Sequence, residues 1–281
     1  MFLSKELKNS YVKVMVYVAV VILIIWYSYA RMIDMTIGDA EWYQRIGEAC
    51  FSDSAFDITL FPKTFRGCLF PLYLQMLEHS VFSVRLGWAI TTGVMVATLF
   101  FFVLPFLFKQ KKACTSWNIR GCLLVLLFLL IFGDSVAYTL SDLFATFFLL
   151  SGISVLLLLK NIDKENRFKM LSLSVLTGFL FYVSYNTRAA YLYGFLFALL
   201  IFVISIRKSW IKMIICVVGI VVGVFITSIP QCIVNQVQEG KFSPRVFTEN
   251  YSLIYGDAVD LQMQQIEWGL NYTRYEAYLG G

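Results

Sequence analysis

Seven uncharged apolar runs recur along the 281 residues of this chain, at 14–30, 86–108, 121–133, 143–159, 170–187, 189–206 and 213–230. A bilayer core of about 30 Å takes roughly 20 apolar residues per crossing helix, so each run has about the length of a span. Hydrophobic residues make up 59% and charged ones 15% of the chain, and the mean hydropathy of +0.73 lies far outside the range of a soluble domain. The expected fold is therefore an all-α polytopic membrane protein with about seven transmembrane helices. The third and fourth runs share one stretch, 121–159, interrupted at Gly133, Asp134, Ser135 and Asp142, which predicts a tight external turn near Gly133. The segment 67–77 is too short to span and contains Pro71, and it reads as a re-entrant or interfacial helix.

Basic residues set the orientation. Segments 1–13, 109–120, 160–169 and 207–212 hold 14 of the 23 Lys and Arg, from Lys5, Lys8 and Lys13 through to Arg207, Lys208 and Lys212, but only three of the 18 acids, Glu6, Asp163 and Glu165. Under the positive-inside rule these segments are cytoplasmic, the N-terminus is inside and the tail beyond 231 is outside the cell membrane. The net charge of +5 then follows from topology and gives no reason to expect a nucleic-acid partner. The first run follows charged residues and has no small-residue cleavage site after it, which reads as a retained anchor. The cytoplasmic connections are short. The first external loop, from Arg31 to about Ser83, and the external tail are long, which directs function outward. Six cysteines without a C-x-x-C pair give no disulfide framework, and a lone His79 gives no metal cluster.

In that first external loop, just past the first span, stands Gly38-Asp39-Ala40-Glu41-Trp42-Tyr43. Two acids at a lipid–water boundary either face solvent or meet something that needs a base or a cation. Further on come Arg66-Gly67-Cys68-Leu69-Phe70-Pro71-Leu72-Tyr73, Arg85-Leu86 opening the second span, and Ser141-Asp142 opening the fourth. Gly178 and Arg188 lie in and just after the fifth, and Pro230, Asn235 and Gly240 end the seventh. This order of motifs resembles the GT-C membrane glycosyltransferases, in particular the branch of protein O-mannosyltransferases and bacterial lipid-A aminoarabinose transferases. The resemblance covers residues 1–245 as a GT-C-like transmembrane domain. Residues 246–281 form an external tail whose Leu261, Ile266 and Leu270 read as an amphipathic helix. Members of that family continue with further spans, whereas this sequence stops at Gly281, as a truncated chain or a minimal member would.

The resemblance implies an enzyme, a hexosyltransferase-like glycosyltransferase. It would move a sugar from a polyprenyl-phosphate carrier to a glycan, lipid or protein acceptor on the external face. A hydroxyl acceptor needs a positioned carboxylate to take its proton, the role expected of Asp39. Glu41 would raise the basicity of its neighbour or join it in holding a divalent metal, with no cofactor otherwise implied. The leaving lipid phosphate gathers negative charge and calls for fixed cations, for which Arg66, Arg85 and Arg188 are the candidates. Arg188 interrupts an otherwise uncharged stretch from Met170 to Ile206, and its alternative is to snorkel to the headgroups. Asp142, about one turn inside its span, must be compensated, either by pairing with an external Arg or by ordering an acceptor or metal. Trp42 and Tyr43 could stack on a sugar or anchor in the interfacial belt. A transporter or lipid flippase is the main competing function, but its site would lie at the midplane. A non-catalytic membrane scaffold is the third reading.

Overall fold

The computed structural model describes residues 2–31, 39–51, 56–62, 67–81, 83–107, 114–137, 141–163, 165–207 and 209–246. Within its helices it describes all side chains except those of 2–10, 39–42, 114–118 and 134–137. The tail expected to be amphipathic therefore lies, from 247 on, outside the described residues. Helices α1 (Phe2–Arg31), α2 (Asp39–Glu48), α3 (Leu69–Glu78), α4 (Val84–Thr98), α5 (Leu104–Leu107), α6 (Cys114–Ala137), α7 (Ser141–Lys160), α8 (Arg167–Thr187), α9 (Tyr191–Ile206) and α10 (Trp210–Glu239) follow one another, with no strand among the described residues. Five segments are long and apolar enough to cross a membrane: Tyr11–Arg31, Val84–Leu107, Ser141–Lys160, Arg167–Thr187 and Trp210–Glu239. Ile119–Gly133 and Tyr191–Ile206 are apolar but shorter. Each of the seven apolar runs of the sequence thus carries a helix, five of them at spanning length, as fits a protein embedded in a lipid bilayer.

Val84–Leu107 is continuous because a π turn at Leu99–Val103 joins α4 to α5. Pro105, just beyond it, has no N–H to return to the carbonyl of Phe101, and a widened turn absorbs that missing bond. Ser83 caps α4 through its hydroxyl, which accepts the Leu86 N–H at 3.3 Å. At the other end of the chain α10 runs through Pro230 and stops at Gly240. That residue has φ +68°, a left-handed conformation open to glycine, and its N–H reaches the carbonyl of Gln236.

Two helix pairings organise the bundle. Helices α1 and α4 run antiparallel: Tyr17 Oη meets Thr98 Oγ1 at 2.9 Å near one end, and Arg85 reaches the carbonyl of Tyr29 near the other. Helices α8 and α10 run parallel in direct backbone contact. A Cβ on Gly178 would fall on the carbonyl of Ile220, one on Gly223 would fall on that of Val175, and one on Gly219 would meet Ser174 and Leu171. Ser174-x-x-x-Gly178 on one helix is therefore interlocked with Gly219-x-x-x-Gly223 on the other, the small-residue packing by which membrane helices approach closely. Helix α9 runs parallel to α7, with Tyr191 Oη on Thr146 Oγ1 (2.6 Å) and Gly194 against Leu149 one turn on. Just past the far end of α9, Lys212 donates to the carbonyls of Lys160 and Ile162 and caps α7.

One expectation is corrected. Gly133 lies inside α6, which bends at Phe132 (φ −117°, ψ 23°) and continues to Ala137, so the helix does not end at Gly133. The glycine serves close approach instead, since any Cβ there would strike the hydroxyl of Tyr27 on α1. The short 67–77 segment does form a helix, α3, with one face packed into protein, where Phe70, Pro71, Leu72, Leu74 and Gln75 are buried, while Met76 is exposed.

Candidate functional site

The start of α7, the end of α8 and the short helices α2 and α3 meet around one aromatic cluster. Phe70 on α3 is fully buried and packs edge-on against Trp88 of α4 (5.7 Å) and tilted against Phe144 of α7 (5.2 Å). Tyr43 of α2 joins it with ring centroids 5.0 Å apart at 89°. A buried tyrosine hydroxyl needs a partner, and Tyr43 finds Ser141, the first residue of α7, at 3.0 Å. Helix α2 is also fastened to α3. Gln75 Nε2 donates to the carbonyl of Gln44 (2.9 Å) and to Glu78 (3.0 Å), and Gly47 admits Pro71 and Gln75 so closely that a Cβ would overlap them.

Next to Ser141 stands Asp142, in the first turn of α7, where a carboxylate is favoured by the helix dipole. Its partner is Arg188, which terminates α8 in an extended conformation (φ −143°, ψ 104°). The guanidinium grips the carboxylate with two parallel hydrogen bonds, Nε to Oδ1 at 2.8 Å and Nη2 to Oδ2 at 2.5 Å. The side chains remain 36% and 51% exposed, so the pair stands at the surface of this end of the bundle and contributes at most about 1 kcal/mol to stability. The geometry gives Asp142 an Arg partner, as the first of its two readings expects. Ser184 Oγ, one turn before Arg188, donates to the carbonyl of Ala145 and keeps the two helix ends in register.

The remaining sequence candidates divide. Arg85 donates from Nε (3.2 Å) and Nη2 (2.6 Å) to the carbonyl of Tyr29, with its guanidinium 4.5 Å from the centre of the Tyr29 ring. It closes the last turn of α1, as a cation at a helix C-terminus does. Tyr43 is 1% exposed and is a packing residue in this arrangement, with its ring inside the cluster rather than lining a cleft. The side chains of Asp39, Glu41 and Trp42 and all of Arg66 lie outside the described residues, although Asp39 and Glu41 are placed by their backbone in the first turn of α2.

Beneath this end lie three thiols, Cys50, Cys68 and Cys232, each at most 2% exposed and free. Burial pushes Cys50 up to about 11 and Cys68 up to about 12, so neither is a thiolate at neutral pH and neither is a nucleophile there. No group of three or more His, Cys, Asp or Glu among the described residues could hold a metal ion.

Sequence reasoning overlooked Ser141 as the anchor of α2, and it overlooked the buried amides Asn186 and Gln231, which join Asn235 in one network. The signal available was an amide at the C-terminal end of each of two apolar runs, one two residues before Arg188 and one directly after Pro230. No family model, curated protein or solved structure matches this chain with significance. The likeness to GT-C transferases therefore rests on the order and placement of its motifs.

Proposed function

We propose that this protein is a membrane glycosyltransferase of the GT-C kind, moving a sugar from a polyprenyl-phosphate carrier to an acceptor at the outer face. In this reading the chain crosses the bilayer seven times, with the N-terminus inside. The parallel alignment of α7 with α9 and of α8 with α10 supports it, because each intervening helix must then return the chain across the same thickness. The observation that carries the functional reading is the hydrogen bond from Tyr43 to Ser141. It brings α2, whose first turn bears Asp39 and Glu41, to the helix end where Asp142 and Arg188 are paired. A carboxylate for the acceptor proton and a guanidinium for the leaving phosphate are the two groups the transfer requires. Their elements converge at one end of the bundle, at the level a lipid-borne donor would occupy.

The pair adds a condition to the role of Arg188. Its guanidinium is already oriented by a two-pronged carboxylate, so an incoming phosphate would meet a fork held in place rather than a swinging chain. Arg188→Lys should therefore weaken binding of a short-chain polyprenyl phosphate by about tenfold or more although it keeps the charge. A point ammonium reproduces neither the grip on Asp142 nor the fork toward phosphate. Arg188→Ala should weaken it further. Because an exposed pair adds little to stability, melting temperatures of all three proteins should be close. Equal affinities for the Lys and Arg proteins would leave only a charge at the headgroups and remove phosphate recognition from the account.

A further inference from the structure

The outer ends of α8 and α10 carry a line of buried polar side chains, Tyr182, Asn186, Gln231 and Asn235, none more than 3% exposed. Asn186 Oδ1 accepts the backbone N–H of Leu69 at 2.8 Å, and its Nδ2 donates to Gln231 Oε1 at 2.9 Å. The same Gln231 oxygen accepts the N–H of Cys68 at 3.0 Å. Both N–H groups belong to the start of α3, whose N-cap residue makes no side-chain cap bond of its own. The helix is therefore capped from outside, by amides on two other helices. Gly67 permits the approach, because a Cβ there would collide with the carbonyl and side chain of Asn186.

On its other side Gln231 Nε2 donates to Asn235 Oδ1 at 3.0 Å, which orients that amide so that Nδ2 donates to the carbonyl of Ser243 at 2.6 Å. Tyr182 Oη donates to the carbonyl of Pro244 at 2.9 Å. One side chain, Gln231, thus stands between the helix of the first external loop and the strand of chain that leaves α10. A buried network in which every member is satisfied is cooperative, and removing one partner leaves the others unpaired at a cost.

We propose that Gln231 couples these two external segments, so that 67–78 and 240–244 are held or released together. Coupling of this kind is reciprocal: whatever orders the loop helix also orders the segment after α10, and the reverse. The inference rests on the geometry of the amides and holds whatever reaction the outer end performs.

Two readouts on the full chain in nanodiscs test it. Hydrogen exchange of 68–78 reports the loop helix, and the rate of trypsin cleavage at the exposed Lys241, added from the outer side, reports the second segment. Gln231→Leu should raise both rates by about tenfold or more, while exchange in 170–180 and 213–226 stays at the parent level. Gln231→Glu, measured at a pH where its carboxyl is protonated, should behave like the parent, since the neutral carboxyl keeps one acceptor for the two N–H groups and one donor for Asn235. Gly67→Ala, whose Cβ pushes the start of α3 away from Asn186 and leaves Gln231 itself unchanged, should also speed cleavage at Lys241. Unchanged cleavage at Lys241 once Gly67→Ala has loosened 68–78 would overturn the coupling. So would full protection of 68–78 in Gln231→Leu, or an equal rise across 170–180, which would make the network a fastening of the bundle itself.

Discussion

Asp39→Asn should lower sugar transfer by about a hundredfold or more while expression and melting temperature stay close to the parent. A positioned general base contributes typically about a hundredfold to ten-thousandfold, and the amide cannot take a proton. Stability should be spared because α2 is held by Tyr43, Ile46 and Gly47, which face the core and α3, rather than by its first residue. Glu41→Gln should cost less, unless the two carboxylates share a metal, in which case both variants should fall together and respond to chelation. Initial rates with a polyprenyl-phosphate sugar and the purified proteins distinguish these outcomes. A fully active Asp39→Asn protein would withdraw the general-base role.

The largest structural effect is expected at the α8–α10 contact. Gly178→Leu should abolish the folded protein, and even Gly178→Ala should lower its melting temperature sharply, because the added carbon meets the backbone carbonyl of Ile220 and the backbone of Gly223 and Val224. Overpacking typically costs about 1–3 kcal/mol when side chains can give, and a backbone contact gives less. Gly194→Ala is the matched control: its Cβ would meet only Leu149 Cδ2 at 3.2 Å, the flexible end of a side chain. There the gain in helix propensity of about 1 kcal/mol over glycine should offset the small adjustment. Thermal melting in detergent reads both, and equal melting temperatures for the two alanine variants would contradict the interlocked packing.

Much of this architecture was legible in the pattern of charge and apolar runs. Each of the seven runs carries a helix, and five reach spanning length, as expected where a stretch without charge must satisfy its own backbone. The break between the third and fourth was misjudged for an instructive reason. Gly133-Asp134-Ser135 carries the composition of a turn, but a glycine also serves where two helices touch, and only the position of Tyr27 on a distant helix decides between the two uses. The Gly219-x-x-x-Gly223 spacing was a readable signal of close packing; its partner on α8 was not, because pairing of helices is a tertiary property.

The candidate site was legible in part. Arg188 and Asp142 stood out as charges at the mouths of apolar runs, and they do compensate each other. Arg85 stood out for the same reason and closes the end of α1 instead. Tyr43 was noticed for its place beside the acids, and its ring belongs to the core. Asn186 and Gln231 escaped notice because Asn and Gln at a span end carry no charge to explain; their weight comes from burial and from the backbone N–H groups that α3 brings to them.

The central claim, that the outer end works on a lipid-linked sugar, is most directly tested by turnover. The full chain in nanodiscs should be offered a panel of polyprenyl-phosphate sugars, with release of free polyprenyl phosphate as the signal and the Asp39→Asn protein measured in parallel. The account predicts that the parent consumes at least one member of the panel in the presence of acceptor-containing membrane extract, and that Asp39→Asn does so at least about a hundredfold more slowly. Release from no member of the panel by the parent, or equal release by both proteins, would contradict it.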